Sequence, residues 1–106
     1  SEFGLNWAGR IPLDTAYRWS PENYLKDIPK ENIMGIEAPL WSETIIEIED
    51  LEYLAFPRII AYSELGWTKP ENRNWENFKL RLAEHTEFLK YNNVNFYRSP
   101  VINWRE

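Results

Sequence analysis

The clearest pattern of hydrophobic and polar positions lies in residues 75–91, where apolar side chains recur at helical spacing. Side chains three or four residues apart lie on one face of a helix, so this spacing predicts an amphipathic helix. Asn74 precedes this helix as a cap, and Asn92 and Asn93 end it. The predicted buried face consists of Trp75, Phe78, Leu82, His85 and Leu89.

A second helical stripe covers residues 50–65, with Asp50 as the predicted cap and Gly66 as the stop. Pro57 lies inside this stretch and should kink it, because a proline removes a backbone hydrogen bond and clashes with the preceding turn. The stripe consists of Leu51, Leu54, Ala55, Arg58, Tyr62 and Leu65.

Prolines also punctuate both ends of the chain. Residues 4–13 contain Gly and Pro and predict a loop. Residues 14–27 predict a short helix that Asp14 caps and Pro21 divides. Residues 94–104 alternate apolar and polar positions around a proline, which predicts an extended segment that wraps a surface.

Residues 33–41 predict a strand, because successive side chains of a strand point to opposite faces. Ile36 and Leu40 would share one face. Regular pairing should end at Pro39, which cannot donate to a ladder. The opposite face carries Glu37, Trp41 and, if the alternation continues, Glu43. The predicted fold is therefore mainly helical with one or two short strands, and its main strand has no evident partner in the chain.

Composition narrows the possible partners. The chain has 106 residues, of which 43% are hydrophobic, enough for one domain with a core. A net charge of −5 without a basic patch argues against a nucleic-acid partner. No apolar run reaches the length of a membrane span, and the absence of cysteine leaves the cellular compartment open. We interpret residues 1–3 as a cloning remnant and residues 4–106 as a single partial domain.

Trp41 and Glu43 are the candidate binding residues. An indole can cover the apolar C–H face of a pyranose, and a carboxylate accepts hydrogen bonds from its hydroxyl groups. The alternative is structural, with Trp41 in a core and Glu43 capping the next helix. Glu37 and Glu43 are six residues apart, roughly 20 Å along an extended strand, which is too far for a pair of glycosidase carboxyl groups.

Several motifs in order resemble the C-terminal part of family 20 glycoside hydrolases, the β-N-acetylhexosaminidases. The matching stretches are Trp7-Ala8-Gly9, Tyr17-Arg18-Trp19 with Tyr24, Gly35 through Glu43, Ala55-Phe56-Pro57-Arg58, Ala61 through Trp67, Trp75 with Phe78 and Arg81-Leu82, and Asn95 through Pro100. The resemblance implies a C-terminal fragment of a TIM (β/α)8 barrel, a fold of about 250 residues. It makes residues 33–41 the eighth strand, followed by the eighth helix and a closing helix.

The resemblance also implies roles for individual residues. Trp41 packs against an N-acetylhexosamine, Glu43 accepts hydrogen bonds from its hydroxyl groups, and Trp7 is another wall of the pocket. The family's chemistry is substrate-assisted and needs an Asp-Glu pair on the fourth strand. No Asp-Glu dipeptide occurs in this chain, so we assign no catalytic residue, and no cofactor or metal ligand is predicted. Arg58 and Glu64 are expected to form structural ion pairs, and His85 to be partly buried.

The predicted function is that of a fragment or relic of a β-N-acetylhexosaminidase, an enzyme that releases terminal N-acetylglucosamine or N-acetylgalactosamine. The chain would supply part of the aminosugar pocket but be inactive alone. We expect a homo-oligomer or a partner carrying the missing half of the barrel, because an unpaired strand and apolar helix faces invite association. The alternative is a non-catalytic oligomeric interaction or assembly module with no role in sugar binding.

Overall fold

The structure is a computed structural model that describes residues 10–24 and 26–106. These residues are mainly helical, with single 3-10 turns at Lys30–Asn32 and Pro70–Asn72. The α-helices are α1 (Leu13–Arg18), α2 (Pro21–Tyr24), α3 (Ile48–Ala55), α4 (Arg58–Trp67), α5 (Trp75–Glu84) and α6 (Thr86–Tyr91).

The prediction of one or two short strands is wrong for the part of the chain that the structure describes. Residues 33–41 form neither a helix nor a strand. A strand needs a neighbouring backbone to complete its ladder, and no backbone hydrogen bond joins residues 34–40 to another described residue. The alternating pattern was therefore not sufficient, because strand formation depends on a partner.

The helix predicted over residues 50–65 is two helices, separated at Pro57. The residue has no N–H to continue the hydrogen bonding of α3, so the chain breaks there and restarts as α4. Helix α3 begins earlier than predicted: Glu47 is its N-cap, and Asp50 lies in its first turn. Gly66 is not the stop, because α4 continues through Trp67.

The helix predicted over residues 75–91 is also divided, at His85, although its predicted cap is confirmed. The Asn74 side chain accepts a hydrogen bond from the Asn77 N–H at 2.8 Å. After the break, the buried Thr86 hydroxyl donates to the Ala83 carbonyl at 2.6 Å. The same hydroxyl accepts the backbone N–H of Arg105 at 3.2 Å, which joins the break to the C-terminal tail.

Pro21 divides the first helical region as predicted, giving α1 and α2. It is the first residue of α2, where the missing N–H would have no helical partner in any case. Asp14 lies in the first turn of α1 instead of capping it, since Pro12 is the N-cap.

The core forms where α1 packs against α4 and α5. Tyr17 of α1 stacks on Phe78 of α5, with ring centroids 4.5 Å apart. The C-terminal tail closes the core through Ile102. Residues 94–99 form neither helix nor strand, whereas a turn interrupts the predicted extended segment at residues 100–102, where the Ile102 N–H donates to the Ser99 carbonyl at 3.2 Å. The buried cluster consists of Leu13, Tyr17, Ala61, Phe78, Leu82, Ala83 and Ile102.

Within the described ranges, none of the helices is both long and apolar enough to cross a membrane.

Candidate functional site

Trp41 and Glu43 lie on the surface, at the end of the segment over residues 33–43. The Trp41 side chain is 56% exposed. Glu43 is exposed at a turn in which the Ile45 N–H donates to the Ser42 carbonyl at 3.0 Å. Among the described residues, Glu43 has no hydrogen-bond or ion-pair partner, so its carboxylate oxygens are open to solvent.

These positions differ from the structural alternative for both residues. Trp41 is not part of the buried core. The helix that follows the segment begins after Glu47, four residues beyond Glu43, so Glu43 does not cap it. The Glu43 carboxylate is therefore open to a molecule outside the described part of the chain, and more than half of the Trp41 surface is exposed beside it.

The loop after Glu43 is anchored by Asp50. One oxygen of its carboxylate accepts the backbone N–H groups of Ile46 and Glu47, each at 3.1 Å. These N–H groups precede the helical ladder of α3, and a carboxylate near a helix N-terminus also interacts favourably with the helix dipole. The anchor fixes the path of the chain from the Glu43 turn into α3.

The other end of the segment rests on α4 through Ile36. A Cβ atom placed on Gly66 would lie 3.6 Å from Cγ1 of Ile36, which is ordinary van der Waals contact. The side chain of Ile36 therefore sits directly over the backbone of Gly66. Ile36 is half-buried in this position, whereas Met34 and Leu40 on either side of it are exposed.

Trp7, the third predicted sugar contact, lies outside the described residues.

A polar network behind the segment holds α1, α4 and α5 together. The Tyr17 hydroxyl donates to a Glu64 carboxylate oxygen at 2.8 Å and accepts the Asn74 N–H at 2.9 Å. The other oxygen of Glu64 forms an ion pair with Arg81 on α5. Burial, together with the Glu64 carboxylate, raises the pKa of Tyr17 to about 12. The network keeps Tyr17 protonated and fixes the order of the three helices.

Sequence reasoning found only part of this network. The expected ion pair of Glu64 is present, and its partner is Arg81. Tyr17 was not foreseen as its hydrogen-bond donor, because the two residues are 47 positions apart and no periodic pattern links them. The expected ion pair of Arg58 does not form among the described residues, where its guanidinium donates to backbone carbonyls.

His85 is half-buried, as expected, and its ring lies 4.7 Å from that of Phe88. The described residues contain no group of three or more His, Cys, Asp or Glu side chains placed to hold a metal ion.

Comparison with known proteins identifies the family. The model of the glycosyl hydrolase family 20 catalytic domain matches residues 1–70. A β-N-acetylhexosaminidase from Cellulomonas fimi is 36% identical over 104 residues, which are 98% of this chain and 21% of that protein.

Solved structures of the same family match the fold. The β-N-acetylhexosaminidase of Streptomyces coelicolor A3(2) superposes with a TM-score of 0.93 at 37% identity, covering 99% of this chain and 21% of that one. A mutant β-hexosaminidase of Streptomyces plicatus, solved with its product GlcNAc, gives a TM-score of 0.92 at 38% identity, covering 98% and 21%.

The chain belongs to glycosyl hydrolase family 20. The resemblance drawn from the sequence motifs is thereby confirmed. The chain spans about a fifth of the length of the relatives that it matches, which agrees with a fragment of their TIM-barrel domain.

Proposed function

We propose that this chain supplies part of the aminosugar pocket of a β-N-acetylhexosaminidase, with Trp41 and Glu43 contacting a terminal N-acetylhexosamine. The observation that carries the proposal is their placement together at the exposed end of the segment over residues 33–43, in a family 20 chain. Trp7 is proposed as a further wall of the same pocket. The proposed unit is a single partial domain over residues 4–106.

The two side chains have complementary roles in this proposal. The indole of Trp41 offers an apolar face to the C–H groups of the sugar ring. The carboxylate of Glu43 accepts hydrogen bonds from sugar hydroxyl groups, and bonds to an ionised acceptor are stronger than neutral ones. No described residue forms a hydrogen bond or an ion pair with the Glu43 carboxylate. The carboxylate therefore does not have to give up such a bond when it binds the sugar.

The isolated chain is proposed to be catalytically inactive. Hydrolysis in this family requires an acid to protonate the leaving group, and the sequence contains no Asp-Glu pair. Activity would then require a partner that carries the earlier part of the barrel. We expect the 106-residue chain to release no p-nitrophenol from p-nitrophenyl-N-acetylglucosaminide beyond the rate of its Trp41→Ala variant.

A tryptophan fluorescence titration tests the binding role. N-acetylglucosamine, or the thiazoline derived from it, is added to the full chain and to two variants. We expect a saturable change that is lost in Glu43→Gln. The matched control is Glu37→Gln, which removes an exposed carboxylate from the same segment and should keep the change.

The titration also separates this proposal from a second one, a non-catalytic module for oligomeric assembly. The observation that favours assembly is the exposure of large apolar side chains near Trp41 and Glu43 in the sequence, namely Met34, Ile46 and Ile48. Lack of any saturable change, combined with concentration-dependent association of the chain, would support assembly and contradict the sugar-binding role.

A further inference from the structure

A cavity of about 210 Å³ lies between the start of α1, the start of α4 and the C-terminal tail. Its walls are mainly apolar and include Ile11, Pro57 and Val101. Arg10, Arg58 and Tyr97 also line it. Neither Trp41 nor Glu43 takes part, so the cavity is separate from the proposed sugar site.

The Arg58 guanidinium is bound by two described carbonyl groups, and its remaining N–H donors are open to solvent. Its guanidinium donates to the Leu54 carbonyl at 2.5 Å and to the Ile11 carbonyl at 3.3 Å. A guanidinium carries more N–H donors than these two. Both acceptors are neutral carbonyls, so neither cancels the positive charge of the half-buried side chain.

The electrostatic balance of the cavity is therefore positive. Arg10 contributes a second guanidinium, and no carboxylate belongs to the lining residues that the structure describes. Burial lowers the pKa of Arg58, and among the described residues no carboxylate offsets this loss of solvation. A buried or half-buried charge is stabilised when an opposite charge pairs with it.

The cavity is built from fixed parts of the fold. The Tyr97 N–H donates to the Phe56 carbonyl at 3.0 Å, which ties the tail to the residue before Pro57. The Tyr97 ring packs edge-on against Tyr53, with centroids 5.4 Å apart. Pro57 is fully buried. The walls therefore do not need to be assembled by a ligand, which lowers the cost of binding.

We infer that this cavity binds a small organic carboxylate whose short apolar body lies against the proline and aliphatic walls while its carboxylate meets Arg58 and Arg10. The planar fork of a guanidinium matches a carboxylate with two parallel hydrogen bonds. The volume lies below the roughly 300 Å³ at which pockets for drug-sized ligands begin, so the ligand has few atoms.

Isothermal titration of the full chain with sodium butyrate tests this inference. We expect saturable binding in roughly the millimolar range, as befits a ligand with few atoms. Arg10→Gln should weaken it about tenfold, the effect of losing one charged hydrogen bond. Arg105→Gln removes an exposed arginine outside the cavity lining and should leave the affinity unchanged.

A further ligand and a second variant test whether binding depends on the charge of the ligand and on the guanidinium of Arg58. 1-Butanol has the same apolar body without the charge and should not saturate. Arg58→Lys keeps the charge but loses the planar fork, so it should also weaken butyrate binding while circular dichroism reports intact helices. Absence of saturation by any carboxylate, or equal affinities in the wild type and Arg10→Gln, would overturn the inference.

The carboxylate can be a free acid or a side chain of a partner protein, and a second titration distinguishes these sources. N-acetylglutamate α-amide presents the same carboxylate on a peptide-like body. Binding of this compound in preference to butyrate supports a protein side chain as the natural occupant, and the reverse order supports a free acid.

Discussion

At the scale of single residues, the Tyr17 hydroxyl links distant parts of the sequence. It joins Glu64 and the backbone of Asn74, and Glu64 continues the contact to Arg81. Tyr17 is buried, so water cannot take the place of its hydroxyl if a substitution removes that group. The proton on this hydroxyl is needed for the bond to the Glu64 carboxylate.

Replacing Tyr17 by phenylalanine is therefore expected to lower the free energy of unfolding by about 1–2 kcal/mol at neutral pH. The folded pKa of about 12 lies above the ordinary value of 10.0. The contribution of the hydroxyl is fully present below that ordinary value and is lost as the pH rises through about 12. Urea unfolding of the wild type and of Tyr17→Phe should show that the difference in their free energies of unfolding becomes smaller from neutral to alkaline pH.

Tyr91→Phe is the matched control for this prediction, because Tyr91 is 87% exposed. It should change the stability little at any pH. A wild-type advantage that stays constant from neutral to strongly alkaline pH would contradict the assignment of the buried proton to Tyr17.

At the scale of elements, Pro, Asn and Asp residues mark the ends of helices, but they do not always occupy the predicted position within the turn. Pro21 begins α2, and Asn74 caps α5. Asp50 supports the start of α3 from the first turn instead of from the cap position. Local chemistry therefore predicted where helices change, while the exact end residues depended on the tertiary contacts of each turn.

Asp50→Ala is expected to destabilise the chain by about 1 kcal/mol, because the N–H groups of Ile46 and Glu47 both lose their acceptor. Glu49→Ala is the control: it removes another acidic side chain from the same first turn. Thermal unfolding should separate the two variants. Hydrogen exchange at residues 44–47 should also accelerate in Asp50→Ala alone, and equal exchange in both variants would contradict the anchoring role.

At the scale of the whole molecule, one surface remains apolar although the helices bury a shared core. Residues 33–43, the loop after them and the first residue of α3 expose Met34, Leu40, Ile46 and Ile48. Exposed apolar side chains that gather into one patch are typical of an interaction site in soluble proteins. Backbone groups of residues 34–40, which have no ladder in the described chain, add a second reason for association.

We therefore expect the chain to form homo-oligomers through this surface at micromolar concentration, as measured by sedimentation velocity. The double variant Met34→Glu, Ile46→Lys should shift the distribution toward monomer. Leu80→Lys, which changes an exposed apolar residue on α5, should leave it unchanged. A monomeric wild type would rule out this mode of assembly.

The sequence by itself determined the family, the main helical regions and the surface pair of Trp41 and Glu43 as candidates, because these follow from local motifs and spacing. Tertiary structure alone decided whether residues 33–41 form a strand, since a ladder requires a neighbour. It also decided the partners of Glu64 and the positive cavity around Arg58. Such features arise between residues far apart in the chain, where three-dimensional packing and not periodicity sets the distance.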